Sequence, residues 1–418
     1  MFEDLKKLFF TATGRDTGVI FLGTLVNVLV GGLFFVLAPR ILGPANYGIF
    51  ALVMSTGLMA TNFANFGIDT GILKFLKTNV NEENDRILKL ALKAYLTIGA
   101  AVFIVGFLLS DTIANVLGIS TYANLLRIAF AGVIFILLTN FFVAVLQANK
   151  KFLESSFVNI SSNMARLLLL GAAAYFATVD LYFLTALFFF VTIVSVVVGK
   201  LFVPLDFLKA KDENLHLKDF FTYNFWIAAS LAISAIPIDN FLIIKYAGPL
   251  ATGLYAAPMK ILTTTYQFAG SYSRVLASRM SSFDTNQKVV EFSKKAAVLV
   301  MVIFVGLLVV GMFSNIFVKV FLGSQYEQSI PLFKLLSVGM AFFFADTIPM
   351  SILLYYFGKS KVAFYITVWH YAIYTALLFV LISKYAELGA SIAFALSEII
   401  TFLTLTSYVV LKLNEKRS

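Results

Sequence analysis

Apolar residues in this chain gather in long unbroken runs. They do not recur at the three- and four-residue spacing of a soluble amphipathic helix. A membrane-spanning helix needs about 20 consecutive, mostly apolar residues. Twelve such runs are present, over 17–38, 47–68, 89–109, 125–146, 156–177, 181–203, 220–244, 250–273, 296–318, 332–356, 362–383 and 388–411. The first and ninth contain no charged residue, whereas the fifth carries Arg166 at its centre. The pattern predicts an all-α polytopic membrane protein with twelve transmembrane helices.

Composition agrees with that reading. Hydrophobic residues are 60% and charged residues 13% of 418, with mean hydropathy +0.91. A soluble domain has about 45–50% apolar and about 25% charged residues. The absence of cysteine excludes a disulfide scaffold, a thiolate metal site and a cysteine nucleophile. With only His216 and His370, a histidine-rich metal site is excluded too. The residues 1–16 lack a small-residue cleavage site, and Phe2, Leu5, Leu8 and Phe9 share one helical face. They predict a short interfacial helix rather than a cleaved signal.

The net charge of +10 does not point to nucleic acid, because the basic residues sit in short loops. Alternating the loops across twelve spans puts 24 of the 32 Lys and Arg on the side of the N-terminus and six on the other. The other two, Arg166 and Lys260, lie near mid-membrane within their spans. The positive-inside rule then predicts cytoplasmic termini and a multi-pass protein of the cytoplasmic (inner) membrane. The longest loops, about 74–88, 204–219 and 274–295, are all on the cytoplasmic side. No outer loop is large enough for the acidic metal ligands of a glycan-assembling membrane enzyme.

The chain also repeats itself. Arg40 to Ala51 reads RILGPANYGIFA, and Lys245 to Ala256 reads KYAGPLATGLYA, at an offset of 205. Lys74 matches Arg279, Lys89 matches Lys294 and Gly118 matches Gly323 at the same offset, and Arg127 and Lys334 follow after a small indel. Glycine permits unusual backbone angles and proline fixes a turn, so each copy predicts a helix end, a turn and a new helix. Six helices per copy is an even number, so both copies share one orientation. The prediction is two six-helix bundles, 1–203 and 220–418, joined by a cytoplasmic linker 204–219 and related by a pseudo-two-fold axis along the membrane normal. Transporters use such pairs around a cavity that opens to alternate sides.

The run from Leu42 to Phe50, the segment Ala64 to Ile68, the run from Ile238 to Tyr255, and the segment Leu322 to Leu332 (LGSQYEQSIPL) together resemble the polysaccharide flippases of the Wzx type. Those flippases belong to the multidrug/oligosaccharidyl-lipid/polysaccharide exporter superfamily. The resemblance covers nearly the whole chain. It implies a MATE-like fold and movement of an undecaprenyl-diphosphate-linked oligosaccharide from the cytoplasmic to the outer leaflet. It implies no enzyme activity, no cofactor beyond a coupling ion (H+ or Na+), and no nucleic acid. Partners are then the bilayer, the polyprenyl-diphosphate substrate and glycan-assembly proteins. Drug exporters share the twelve-helix form, so an ion-coupled multidrug exporter stays open, with a glycan-assembly enzyme as the reading from another class.

A charge at mid-membrane costs on the order of 2.5–3.5 kcal/mol on insertion scales, so each one needs a cavity or a partner. Arg166 and Lys260 are candidates to meet a diphosphate. Arg40, Lys74, Lys245 and Arg279 would form basic rims at the two mouths. Asp239, Asp346 and Glu398 are candidates for cation coupling, against the alternative that they pair with the two buried bases. His370 reads better as a hydrogen-bonded packing residue. In the second half Pro237, Pro258 and Pro349 lie beside Asp239, Lys260 and Asp346. A proline inside a helix frees the carbonyl four residues earlier, and a freed carbonyl in a membrane must meet protein, water or an ion.

Overall fold

The computed structural model describes residues 12–65, 67–76, 82–176, 178–210 and 225–415. The segment 1–11, predicted as an interfacial helix, and most of the predicted linker lie outside these residues. The described residues are almost entirely helical. Eight of their helices are long and apolar enough to cross a membrane. Leu108 is 71% and Leu201 77% exposed. In water each would forgo about 1.5–3 kcal/mol of burial, so the surrounding solvent is lipid.

Contacts divide the chain into two units. The first holds residues 1–34 and 53–228, and the second holds 35–52 and 229–418. The short segment 35–52 belongs to the sequence-predicted N-terminal half, yet it packs with the second unit.

In the first unit, α1 (Ala12–Asn65) supplies most of its length and α2 (Ile68–Phe75) follows after Gly67. α3 (Glu82–Val116) lies along α4 (Ala123–Ala148), which packs on α5 (Phe152–Phe176) and α6 (Leu181–Phe190). Asp180 caps α6 by accepting from the Phe183 amide at 2.7 Å. α7 (Ile193–Phe202) ends in a turn over Asp206–Lys209 that rests on α3.

In the second unit, α8 (Phe225–Ser234) stops before Pro237, and α9 (Ile238–Leu262) and α10 (Thr264–Met280) follow. α11 (Asn286–Met312) is joined through α12 (Ser314–Phe321) to α13 (Ile330–Ala345) and α14 (Thr347–Ser351). A π-helical turn, Ile352–Tyr356, closes that run, and α15 (Ser360–Glu415) ends the chain. α11 lies on α13 and α13 on α15, as α3 lies on α4 and α4 on α6.

The predicted turns fall where the repeat places them. α1 is broken at Gly43, whose φ is 71°, and α9 at Gly248, whose φ is 85°. Only glycine takes such angles without strain. α15 is broken at Ala386, between the eleventh and twelfth predicted spans. Matched positions also make matched contacts. A Cβ on Gly106 would strike the Phe130 ring, and one on Gly311 would strike Ser337. The repeat is therefore one of packing as well as of letters.

Within the second unit the two copies of the Gly-Pro motif touch. A Cβ on Gly48 would lie 2.0 Å from the Pro249 carbonyl oxygen, and one on Gly253 would lie 1.8 Å from that of Pro44. Glycine is required at both because backbone meets backbone. The proline-freed carbonyls find donors nearby. Gln325 Nε2 donates to Arg40 O at 3.0 Å, four residues before Pro44. Ser329 Oγ donates to Leu254 O at 2.7 Å, four residues before Pro258. Pro39 and Pro44 both lie inside α1, so helix prolines occur in the first half as well as the second.

Candidate functional site

Among its described residues the first unit buries one cation. Arg166 projects from α5 and is only 7% exposed. Its Nη1 donates to Asn163 Oδ1 at 2.6 Å, and its Nη2 donates to Phe188 O at 2.9 Å. Asn163 in turn donates from Nδ2 to Asn27 Oδ1 at 2.7 Å, linking α5 to α1. The guanidinium lies 4.6 Å from the Phe188 ring centroid and 5.4 Å from that of Phe34. Among the described residues no carboxylate pairs with it, and its Nε has no acceptor. The group is held by neutral partners and ring faces, which leaves its charge available to an anion.

The second unit buries acids. Asp239 stands in the first turn of α9, and its Oδ1 accepts from the Asn240 amide at 2.8 Å. Its Oδ2 accepts from Tyr255 OH at 2.9 Å, and that hydroxyl lies 3.2 Å from Tyr374 OH. Tyr374 stacks on His370, with ring centroids 6.1 Å apart. His370 Nδ1 bonds the Thr401 hydroxyl at 2.7 Å, and its Nε2 lies 3.8 Å from Glu398 Oε1. Glu398 is 5% exposed. Asp239 with Tyr255 and Tyr374, and His370 with Glu398, are thus two polar groups joined by the stacked Tyr374 and His370 rings, from α9 to α15.

Asp346 sits at the break between α13 and α14, and its Oδ1 is buried with no hydrogen-bond partner. Pro349 withdraws a backbone donor in the same stretch. An orphaned carboxylate oxygen beside an interrupted helix has the donor chemistry that a proton or a hard monovalent cation takes. Among the described residues no three His, Cys, Asp or Glu side chains gather into a metal site.

The remaining predicted residues are dispersed. Lys260 lies on α9 with its Nζ 4.4 Å from the Phe35 ring centroid. Arg40 donates through Nε to Phe321 O at 3.0 Å and through Nη2 to Val320 O, so it caps the carbonyl end of α12. Lys245 and Arg279 are exposed. Lys74 lies on α2, and its side chain is outside the described residues. The reading of His370 as a hydrogen-bonded packing residue fits its bond to Thr401. Sequence reasoning did not find Tyr255 and Tyr374. Tyr255 stands in the repeat motif itself, where an aromatic matches Phe50, so its hydroxyl was the signal that distinguished the copies.

This combination defines a polytopic membrane transporter fold: two repeated helical units, charges buried among lipid-facing helices, and kinks beside those charges. Solved structures carry the same fold. The lipid II flippase MurJ, in an inward closed conformation, aligns with TM-score 0.72 over 94% of this chain and 87% of that one, at 17% identity. An outward-facing multidrug resistance MATE family transporter of the MOP superfamily aligns with TM-score 0.64 over 99% of both chains, at 14% identity. A family model described as polysaccharide biosynthesis protein matches residues 13–283, and the chain belongs to that family. A relative in Shigella flexneri, named "Putative O-antigen transporter", is 23% identical over 382 residues, 88% of this chain and 90% of its own. The resemblance to Wzx-type flippases is borne out, and these relatives are named as transporters or flippases rather than enzymes.

Proposed function

We propose that this protein flips a polyprenyl-diphosphate-linked oligosaccharide from the cytoplasmic to the outer leaflet of the cytoplasmic membrane, by alternating access and with cation coupling. Membership of the polysaccharide biosynthesis family and the likeness to an O-antigen transporter support a lipid-linked glycan as cargo. The observation that carries the reading is Arg166, a buried guanidinium held by neutral groups. A diphosphate supplies the anionic oxygens that this cation lacks. Lys260 shares that role, Lys74, Lys245 and Arg279 gather anions at the mouths, and Arg40 braces its rim by capping α12. Asp239, Asp346 and Glu398 take up the proton or sodium ion. The two six-helix bundles, 1–203 and 220–418, rock about the linker 204–219, with both termini cytoplasmic and glycan-assembly proteins nearby.

The Asp239–Tyr255–Tyr374 group favours a second reading, an ion-coupled exporter of cationic drugs, since acid and aromatic side chains suit a cation. One experiment separates the two. Liposomes containing the protein are given a fluorescent lipid-diphosphate oligosaccharide or a cationic dye. We expect the lipid to cross and Arg166→Gln to stop it. Dye movement without lipid movement would overturn the flippase reading.

A further inference from the structure

The proposed function gives His370 no part, yet the hydrogen bonds around it fix the state of its ring. Thr401 Oγ1 donates to Ser397 O at 2.8 Å, one turn back along α15. A hydroxyl has one proton to donate. At its 2.7 Å contact with His370 Nδ1 the threonine oxygen therefore accepts, and the ring nitrogen donates. Nδ1 keeps its hydrogen, so in a neutral imidazole Nε2 carries a lone pair. Nε2 faces Glu398 Oε1 at 3.8 Å. Two acceptors thus face each other across a gap too long for a hydrogen bond.

Glu398 is 5% exposed, and among the described residues no hydrogen-bond donor reaches its carboxyl group. The other ionisable groups that face the pair come from four elements. They are Tyr371 and Tyr374 on α15, Tyr266 on α10, Asp346 at the break between α13 and α14, and Asp239 on α9 behind Tyr255 and Tyr374. None of these is a base, and Asp346 brings a second carboxyl group within electrostatic reach of Glu398. A buried carboxylate with no donor and a like charge nearby is costly. One proton on the line from Oε1 to Nε2 removes that charge and meets both acceptors, and the gap can then close to about 2.7–3.2 Å. Asp239 differs, because its oxygens already accept from an amide and a hydroxyl.

We propose that His370 and Glu398 form one proton-binding site, in which a single proton taken from water bridges Nε2 and Oε1 and is later returned to water. The inference deepens the cation-coupling reading and rests on it for the use of this proton in transport. It makes His370 a working residue and gives Glu398 a proton, whatever ion Asp239 takes. The pair suits a proton better than sodium. Hard metal ions take several oxygen ligands, whereas Oε1 faces a ring nitrogen and the Thr401 hydroxyl is committed as both donor and acceptor.

The chain has only two histidines, His216 and His370, so His216→Gln leaves a single imidazole. Nitrogen-15 NMR of that full-length protein in lipid nanodiscs resolves its two nitrogens. The Nδ1 signal should remain that of a protonated nitrogen at every pH, while the Nε2 signal should move as the bridging proton comes and goes. Glu398→Gln should abolish that movement over the same range, and Asp239→Asn should leave it in place. Replacing potassium chloride by sodium chloride at fixed pH should move neither signal. A deprotonated Nδ1, an Nε2 response that survives in Glu398→Gln, or a sodium-induced shift of Nε2 overturns the proposal. So does an Nε2 signal in the single-histidine protein that ignores pH, which keeps the test decisive even where Glu398→Gln does not fold. In liposomes a pH gradient should speed movement of the lipid-diphosphate oligosaccharide, and Glu398→Gln should lose that acceleration; acceleration that persists overturns the coupling role. The NMR result does not depend on the cargo, so a proton site without lipid movement counts against the flippase reading alone.

Discussion

The two units keep opposite charges in opposite company. The first holds a cation, Arg166, among asparagine, a backbone carbonyl and phenyl rings. The second holds acids, Asp239 and Glu398, among tyrosine hydroxyls and an imidazole. Both units descend from one pattern, with matched glycine turns and matched helix contacts. Duplication supplied two equivalent scaffolds, and substitution at a few buried positions then separated their chemistry. The same divergence acts on packing. The offset that aligns Arg127 with Lys334 puts Ile348 and Pro349 where the first unit has Phe141 and Phe142. The first unit fills that position with aromatic rings, and the second leaves a crevice between α11, the α14 region and α15.

The largest expected effect probes that packing difference. Phe141→Ala removes a ring that is fully buried against Tyr95, Phe142 and Phe207. Its thermal unfolding in detergent should report a loss of about 3–5 kcal/mol. The matched Ile348→Ala faces the open crevice and should cost well under half of that. Equal losses would mean that the two sites are packed alike.

The charge difference is broken next. Arg166→Gln should lower affinity for a lipid-diphosphate headgroup by about 10- to 100-fold, the scale of a lost charge-assisted hydrogen bond of about 1.5–3 kcal/mol. Stabilisation by the coupling cation should survive in that variant. Asp239→Asn should do the reverse, keeping headgroup binding and losing the shift in unfolding temperature that the cation produces. Loss of both ligands in either variant would join the two sites into one.

A smaller effect tests the helix contacts. Gly106→Ala places a methyl 2.3 Å from the Phe130 ring, whereas Gly311→Ala meets the Ser337 Cβ at 3.0 Å. Overpacking of the first kind should cost about 1–3 kcal/mol, and the second should cost less, as read from unfolding of the purified variants. Smallest of all is the lysine pair. Lys89→Gln gives up its bond to Ala210 O and should lose about 1 kcal/mol. The matched Lys294 is exposed, and Lys294→Gln should lose nothing measurable. A loss from Lys294→Gln would show that its ammonium already has a protein partner.

Much of this was legible in the chain. Twelve apolar runs and the Gly-Pro repeat predicted where helices end, and Gly43, Gly248 and Ala386 break them there. The buried charges were found as well, since any charge inside an apolar run is conspicuous. Their partners were not. Nothing local distinguishes Arg166 bound to Asn163 from Arg166 bound to a carboxylate, and Tyr374 lies 119 residues from the Tyr255 hydroxyl it meets. Arg40 read as a free rim charge, whereas it caps a helix 280 residues away.

The sequence by itself therefore determined the solvent, the helices, their breaks and the duplication. Hydropathy, turn chemistry and repetition act over one helix or one turn, so they are written in consecutive letters. Tertiary structure decided which donor each proline-freed carbonyl would meet, which ring covers which cation, and that Gly48 and Gly253 lie backbone to backbone. It also decided that the second unit keeps a crevice where the first is full. Those outcomes depend on volumes and distances between helices far apart in the chain, and a difference of a few side-chain atoms at each of several positions becomes a site only once the helices are packed.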